Sequence, residues 1–454
     1  MRALTLTFAE ALLPQGWARD VRIAIEDGRI ARVETGAPAT EAGERHTIAL
    51  PGFPNLHNHA FQRGMAGLTE TRGSLPDSFW TWRDVMYRFV GALEPTEVEA
   101  IAAQAYVEML EEGFTRVGEF HYLHHDRQGR PYRNVAEMAE RIAAAADAAG
   151  IGLTLLPVFY AHSDFGGRPP TEGQRRFVND RDGFARLTET SAGAISRLPG
   201  AVLGVAPHSL RAATPEELDA VASAKGPIHI HVAEQTKEVD DCIAWSGARP
   251  VEWLLDHQPV DARWCLIHAT HMTAKETHDL ARRGAVAGLC PVTEANLGDG
   301  IFGLPAFVDA GGRYGIGTDS NVRIGLADEL RQLEYSQRLS THRRNVASAL
   351  TRGSTGRALY DSALAGGSQA LGQNLSGLSP GAFADIVTLD PDHPAIAGRI
   401  GDARLDGWIF AARPGLIDCV WSMGRKVVAQ GRHHRREAIA ADFSRVMARL
   451  AGSQ

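Results

Sequence analysis

Two histidines separated by one residue stand out in the stretch PGFPNLHNHAF, residues 51–61. If this stretch ends a buried strand, His57 and His59 point to the same side, because side chains two apart in a strand share a face. Two imidazoles that converge on one point supply two of the ligands that a divalent metal ion needs. The alternative is a loop with two surface histidines, which is our expectation for His124 and His125. Matching ligands at the ends of later strands decide between these interpretations.

Further residues of the right types do follow at the ends of later apolar stretches. They are Glu119, His121 and Tyr122, then His208 and Arg211, then His229, His231 and Glu234, then His268, and finally Asp319. Any one of them alone would be read as an ordinary core or surface residue. So many metal-competent and ionisable side chains at the ends of successive strands are hard to explain by chance, and they predict one metal-dependent site.

Eight apolar stretches alternate with helical patterns through the middle of the chain, and these must position the site. They cover 48–57, 115–122, 151–160, 201–209, 227–234, 264–270, 285–293 and 313–320. Near-continuous apolar strands separated by helices indicate a parallel sheet that is buried on both faces. One helix is marked by Thr273 as N-cap, Glu276 as its capping-box partner and Gly284 as its stop. Eight such units predict an α/β fold with a closed (β/α)8 TIM-type barrel, whose active site lies at the carboxyl ends of the strands.

Both ends of the chain have the pattern of short β strands. Alternating apolar residues flank Asp27-Gly28 and Met423-Gly424, which is typical of two-residue hairpins. We therefore expect a small β-sandwich domain that is built from both chain termini. The predicted division is 1–50 plus 376–432 for this small domain, 51–375 for the catalytic barrel and 433–454 for a C-terminal helix.

Composition argues against several other classes of protein. A net charge of -7 disfavours a nucleic-acid partner, which normally requires a basic patch. The chain of 454 residues has four cysteines and no CxxC pair. This pattern is typical of a protein in a reducing compartment and not of one held together by disulfides. The first seventeen residues alternate in polarity, unlike a signal peptide, and no apolar run approaches the ~20 residues of a membrane helix. We therefore expect a cytoplasmic protein without a membrane partner.

Several motifs together resemble the amidohydrolase superfamily. They are HNH after a Pro-Gly strand, HIHVAE, LIHAT, GTDS and GLSPGAFADIV. Within the superfamily, the longer blocks FWTWRDVMYRF, EFHYLHHDRQGRPY and APHSLRAA look like those of the formimidoylglutamate deiminases. The resemblance covers nearly the whole chain. It implies hydrolysis of N-formimidoyl-L-glutamate, an intermediate of histidine degradation, to N-formyl-L-glutamate and ammonia, by an enzyme that is often a homodimer.

The resemblance also implies a set of metal ligands. These are His57, His59, His231 and Asp319, which would hold one zinc ion per chain, with Fe2+ or Mn2+ as alternatives. Three neutral imidazoles and one carboxylate agree with zinc and leave one position open for water. His229 shares a face with His231, but the family pattern places the ligand three residues before the glutamate, so His229 would lie deeper in the barrel. Binuclear relatives use a strand lysine, and the end of the fourth barrel strand, GVAPHS, has none.

Roles in catalysis follow from the same resemblance. Glu234 would take a proton from the attacking water and pass it to the departing nitrogen, His268 would hydrogen-bond that water, and Asp319 would assist proton transfer. The substrate is a small dicarboxylate, which arginine forks bind bidentately. The predicted substrate-binding residues are Gln62, Arg83, Tyr122, His208 and Arg211. The roles of Glu119, His121, Trp80 and Trp82 stay open, between contact with the site and ordinary packing.

Two alternatives remain at this point. The same metal site would serve a purine-type aminohydrolase acting on guanine or an adenosine derivative, and Trp80 and Trp82 could supply stacking surfaces for a ring. Paired arginines fit a flexible dicarboxylate better than a purine. The second alternative is a non-catalytic barrel homologue, but such a protein would be expected to have lost metal ligands, and all of the expected ones are present.

Overall fold

A computed structural model describes residues 4–36, 43–71, 78–348, 353–373 and 377–452. Its strands are β1 (Leu4–Leu13), β2 (Gly16–Glu26), β3 (Arg29–Glu34), β4 (Glu44–Pro51), β5 (Phe53–Asn58), β6 (Phe114–His121), β7 (Gly152–Phe159), β8 (Val202–Leu203), β9 (Ala206–Pro207), β10 (Ile228–Val232), β11 (Trp264–His268), β12 (Val286–Leu289), β13 (Arg313–Ile316), β14 (Ile386–Leu389), β15 (Ile417–Ser422), β16 (Arg425–Ala429) and β17 (Arg432–His433).

Helices connect the strands of the middle region and follow the last strand. They are α1 (Phe79–Ala92), α2 (Pro95–Glu111), α3 (Glu137–Ala149), α4 (Arg181–Ile195), α5 (Pro215–Ala222), α6 (Thr236–Ser246), α7 (Pro250–His257), α8 (Ala274–Arg283), α9 (Pro291–Leu297), α10 (Leu304–Asp309), α11 (Leu326–Thr341), α12 (Thr355–Ala370), α13 (Ala403–Ala411) and α14 (Arg436–Ala451). Short 3-10 turns cover 60–65 and 172–174. In the part of the chain described, no helix is both long and apolar enough to cross a bilayer.

The barrel consists of two parallel sheets joined at both edges. β5, β6, β7 and the short β8 and β9 form one sheet, and β10 to β13 form the other. At one junction the His229 amide donates to the carbonyl of Val205 over 3.1 Å. At the other, the Asp319 amide donates to His57 and the His59 amide donates back to Asp319, both over 3.0 Å. These bonds complete the ring, so the predicted α/β barrel is confirmed.

Two of the predicted strands are interrupted. The stretch 48–57 divides at Gly52 into β4, which belongs to the small sheet, and β5, which opens the barrel. A side chain at position 52 would lie 2.4 Å from Oγ1 of Thr115, so only glycine fits where the chain passes between the two sheets. The stretch 201–209 divides into β8 and β9, each of two residues. Hydrophobic patterning does not register such breaks.

The two ends of the chain form one continuous sheet of eight strands, in the order β17-β16-β15-β14-β4-β1-β2-β3. The predicted hairpin turns are present, because β3 begins after Asp27-Gly28 and β16 begins after Met423-Gly424, and all four residues have positive φ. Both halves of the sheet contribute to one hydrophobic core, which includes Phe8, Ile23, Ile386 and Trp421. The division into domains stays a prediction, and its boundary at 376 lies outside the described residues.

The structure tests two further predictions, the caps of helix α8 and the exposure of His124 and His125. Thr273 caps α8, its hydroxyl accepts from the Glu276 amide, and Gly284 ends the helix in the left-handed conformation, as predicted. The expectation for His124 and His125 was wrong, because both side chains are buried. Their Nε2 atoms bond to the carbonyls of Val158 and Val178 over 2.9 and 2.8 Å, which compensates for removing them from water.

Candidate active site

The four predicted metal ligands converge at the carboxyl ends of the barrel strands. One ligand atom from each of His57, His59, His231 and Asp319 lies within 4.8 Å of the others. Oδ1 of Asp319 is 3.4 Å from Nε2 of His57 and 3.3 Å from Nε2 of His59. Nε2 of His231 is 3.1 Å from Nε2 of His57. All four side chains are buried, so the group forms one enclosed cluster of three nitrogens and a carboxylate.

Hydrogen bonds on the far side of the rings fix their orientation. Nδ1 of His59 bonds to the carbonyl of Phe120 over 3.0 Å, and Nδ1 of His231 bonds to the carbonyl of His208 over 3.1 Å. A proton on Nδ1 leaves the Nε2 lone pair of each ring facing the cluster. Burial lowers the pKa of His57 to about 3 and lowers that of His59 and His231 as well, so the rings are neutral. Neutral imidazoles with converging lone pairs fit a metal ion.

An asparagine network joins two of the three strand ends that carry these ligands, those of β5 and β13. Nδ2 of Asn321 donates to Oδ1 of Asn58 over 2.6 Å and to the carbonyl of His59 over 3.1 Å. The carboxylate of Glu119 accepts from the amide of Ala60 over 3.0 Å and from the side chain of Asn58. Glu119 therefore holds the residues on both sides of His59, the side chain of Asn58 and the backbone of Ala60, which is a supporting role that the sequence left open.

Beside the ligand cluster lies a second group of ionisable side chains. Nε2 of His268 is 3.6 Å from Oε1 of Glu234 and 3.8 Å from Oδ2 of Asp319. Its Nδ1 is 3.2 Å from Oε1 of Glu294. Burial raises the pKa of Glu234. Burial alone would lower the pKa of His268, but the charge of Glu234 and the bond to Glu294 raise it. The pair can therefore hold and exchange a proton inside a dry site.

A pocket opens above these groups. Its lining includes all five predicted substrate-binding residues, namely Gln62, Arg83, Tyr122, His208 and Arg211. The guanidinium of Arg83 lies 4.5 Å from the ring of Trp80, and that of Arg211 lies 5.7 Å from the same ring. The structure gives neither guanidinium an ion-pair partner among the described residues, and each has a buried Nε without a hydrogen bond. Two unpaired cations beside one ring are arranged to receive an anion.

The other predicted substrate-binding residues and the two tryptophans differ in their contacts. Nε2 of Gln62 donates to the hydroxyl of Tyr122 over 3.0 Å, while Oε1 of Gln62 is buried without a partner. The ring of His208 lines the pocket, and its backbone carbonyl orients His231. Trp82 lines the pocket, whereas Trp80 contacts the arginines from beside it.

Other residues lie close to the site but outside the cluster. His229 bonds through Nε2 to the carbonyl of Ala370 over 2.8 Å, at the deeper position expected for it. His121 is buried, and burial lowers its pKa to about 3. Glu238 and Glu294 were not predicted. They follow β10 and β12 on helices, and the only sequence signal is their position shortly after a strand end.

Sequence comparisons place this fold and site in a known group. The pattern of the amidohydrolase family matches residues 48–427, and that of the formimidoylglutamate deiminase HutF N-terminal domain matches residues 5–47. A formimidoylglutamate deiminase of Pseudomonas aeruginosa is 51% identical over 452 residues, covering 98% of this chain and 100% of its own length. A 5-methylthioadenosine/S-adenosylhomocysteine deaminase of Natronomonas pharaonis is 28% identical over 87% of this chain and 85% of its own.

Solved structures agree with this placement. An amidohydrolase from Brucella melitensis is 58% identical, covers 99% of this chain and 100% of its own, and superposes with a TM-score of 0.96. An adenosine deaminase from Xanthomonas campestris with bound zinc shares the fold alone, at 20% identity, with a TM-score of 0.81 over 99% of this chain and 98% of its own. The chain therefore belongs to the amidohydrolase family, and within it to the formimidoylglutamate deiminases.

Proposed function

We propose that this protein hydrolyses N-formimidoyl-L-glutamate to N-formyl-L-glutamate and ammonia. The observation that carries the proposal is the pair of guanidiniums of Arg83 and Arg211, which have no ion-pair partner among the described residues and lie in the same pocket as the buried ligand cluster. A linear dicarboxylate needs fixed positive charge at a distance from the reacting carbon, and arginine supplies it with bidentate geometry. The activity named for the relative at 51% identity supports the same substrate.

We infer one zinc ion per chain, held by His57, His59, His231 and Asp319. The donor set of three neutral imidazoles and one carboxylate supports this inference, although it also accommodates Fe2+ or Mn2+. When bound, such an ion lowers the pKa of a coordinated water toward neutrality. The end of the fourth barrel strand carries no lysine, which supports a single ion rather than two.

The protein's own residues then handle the protons and the charge of the substrate. Glu234 accepts a proton from the attacking water, which adds to the formimidoyl carbon, and returns the proton to the nitrogen that leaves as ammonia. Its pKa, raised by burial, suits both halves of this exchange. His268 lies within reach of Glu234 and Asp319 and donates a hydrogen bond to the attacking oxygen. Arg83, Arg211 and the Gln62–Tyr122 pair hold the carboxylates.

The deciding experiment measures ammonia release by the zinc-loaded protein from N-formimidoyl-L-glutamate, with guanine and adenosine run beside it. Release from the first substrate alone is the expected result. Release only from a purine would favour the alternative kept open by Trp82 in the pocket lining and by the relative at 28% identity. Release from none, with no bound metal, would support a non-catalytic homologue. The homodimer and the cytoplasmic location remain predictions, and light scattering on the purified protein tests the first.

A further inference from the structure

Glu238 is a fully buried carboxylate that the proposed chemistry does not use. It lies in the first turn of α6 and has 0% of its surface exposed. One oxygen accepts from the amide of Ala233 over 3.2 Å, and the other accepts from the amide of Glu234 over 3.0 Å. Ala233 has a φ of 53°, in the left-handed region that side chains rarely adopt. The two bonds therefore fix a strained turn that aims the side chain of Glu234.

The same carboxylate acts on the substrate side of the pocket. Burial alone would lower the pKa of Arg211, but the negative charges of Glu238 and Glu234 raise it above its ordinary value. No ion pair joins Glu238 to Arg211, and both oxygens of Glu238 are bonded to backbone amides. Arg211 lines the same pocket as Glu234, whose amide is bonded to Glu238. From this position the charge of Glu238 acts on Arg211 through space and leaves the donors of the guanidinium available for a ligand.

We propose that Glu238 is a positioning residue that joins the two halves of the site, by fixing the turn that carries Glu234 and by balancing the charge of Arg211. The part that concerns Arg211 rests on the proposed function, because it assumes that a substrate carboxylate binds there. Substitution of Glu238 then separates catalysis from binding. Turnover falls because the turn that carries Glu234 loses one of its two anchoring bonds, while an anionic ligand binds no more weakly because an opposing negative charge has been removed.

The test compares Glu238→Gln with Glu276→Gln in the full-length, zinc-loaded protein. Glu276 is the control, because it is also buried and accepts backbone amides, from Thr273 and Glu252, but it lies outside the pocket. It differs from Glu238 in its ion pair with Arg249 over 2.8 Å, so the folded stability of this variant is measured as well. Three quantities are measured: the turnover number for ammonia release, the dissociation constant of N-formyl-L-glutamate by calorimetry, and amide hydrogen exchange over residues 232–237. A second variant, Glu238→Asp, keeps the charge but is one methylene too short to reach both amides.

The expected result for Glu238→Gln is a turnover number at least about 10-fold lower, faster exchange at 233 and 234, and a dissociation constant equal to or below that of the wild type. Glu238→Asp should share the low turnover and keep the wild-type dissociation constant. Unchanged turnover, unchanged exchange, weaker product binding, or equal losses in Glu276→Gln would each overturn the proposal. If the wild type releases no ammonia from N-formimidoyl-L-glutamate, the proposed function fails, and the exchange data still decide whether Glu238 fixes the turn.

Discussion

Nδ1 of His268 and Oε1 of Glu294 are 3.2 Å apart in the buried site. The same oxygen accepts the amide of Cys290 over 2.8 Å, which fixes the carboxylate at the start of α9. His268 has positive φ at the end of β11, so its backbone is also held in an unusual conformation. The contact with Glu294 directs the other ring nitrogen toward Glu234 and Asp319, where the proposed proton exchange takes place.

Replacing Glu294 with glutamine should lower the turnover number about 10- to 100-fold, the usual cost of removing a carboxylate that orients a working histidine. Steady-state kinetics at matched metal content measure this. Glu329→Gln is the control, because Glu329 is equally buried and bonds the amide of Val292 over 2.9 Å on the same helix without touching His268. Glutamine keeps the size and shape of this side chain. Equal activity in the two variants would contradict the role of Glu294.

Two histidines of β10 test which side chain binds the metal ion. His231→Ala should lose most bound zinc, because one of four ligands is removed, while His229→Gln should retain about one ion per chain. Glutamine places a nitrogen near the position of Nε2, which bonds to Ala370 in the wild type. Elemental analysis after dialysis gives the stoichiometry. Loss of zinc from the His229 variant alone would show that His229, and not His231, is the metal ligand on this strand.

Glu234→Gln should keep its zinc and lose activity by about 10²- to 10⁴-fold, the range that a proton-transferring group contributes. Glutamine preserves the shape of the side chain but cannot accept the proton. Turnover and metal content are measured on the same preparation. Glu216→Gln, on the exposed surface of α5, should match the wild type in both. Substantial turnover by the Glu234 variant would remove this residue from the mechanism.

Arg211→Gln should raise KM for the dicarboxylate about 10- to 100-fold, since a hydrogen bond to a charged group contributes about 1.5–3 kcal/mol. The effect on the turnover number should be smaller, because Arg211 holds the substrate away from the reacting carbon. The control is Arg88→Gln on the exposed side of α1. A variant with unchanged KM would place the carboxylate elsewhere in the pocket.

Stability toward acid should depend on His433, which is not part of the ligand cluster. Its Nε2 bonds to the carbonyl of Ala149 over 2.8 Å and its Nδ1 accepts the amide of Arg435 over 3.1 Å, so only the neutral ring satisfies both. Burial lowers its pKa to about 4. The unfolded chain, with a histidine pKa of about 6.5, binds the proton first, so the free energy of unfolding falls as pH drops from about 6.5 to about 4.

This dependence appears as a difference between variants. The melting temperature of His433→Gln should fall less between pH 7 and pH 5 than that of the wild type, because the titrating group has been removed. His278→Gln, at an exposed position on α8, should follow the wild type. Thermal unfolding followed by circular dichroism provides the measurement, and parallel curves for all three proteins would refute the prediction.

The sequence predicted the barrel and a group of metal-competent residues at one end of it, because parallel strands bring their carboxyl ends together. The choice of four ligands among them came from the family resemblance. His57 and Asp319 are far apart in the chain, yet both follow apolar stretches of the right length. The supporting carboxylates could not be found in this way. Glu238 and Glu294 lie on helices, where a glutamate normally faces water, and only tertiary packing reveals that they are buried. The prediction that His124 is exposed was wrong for the same reason, since its polar neighbours in the sequence are typical of a surface loop.

The small sheet sets the order in which the molecule can assemble. β4 pairs with β1 on one side and with β14 on the other, and the whole barrel sequence lies between β4 and β14. During synthesis, β4 therefore keeps one unpaired edge until residues 386–389 have left the ribosome. Open strand edges recruit other strands, and pairing over such a separation is slow. A chain that ends before β14 would thus have a barrel with an exposed, unpaired strand edge on β4. Truncation of the last strands should therefore cause aggregation more readily than it lowers the turnover number.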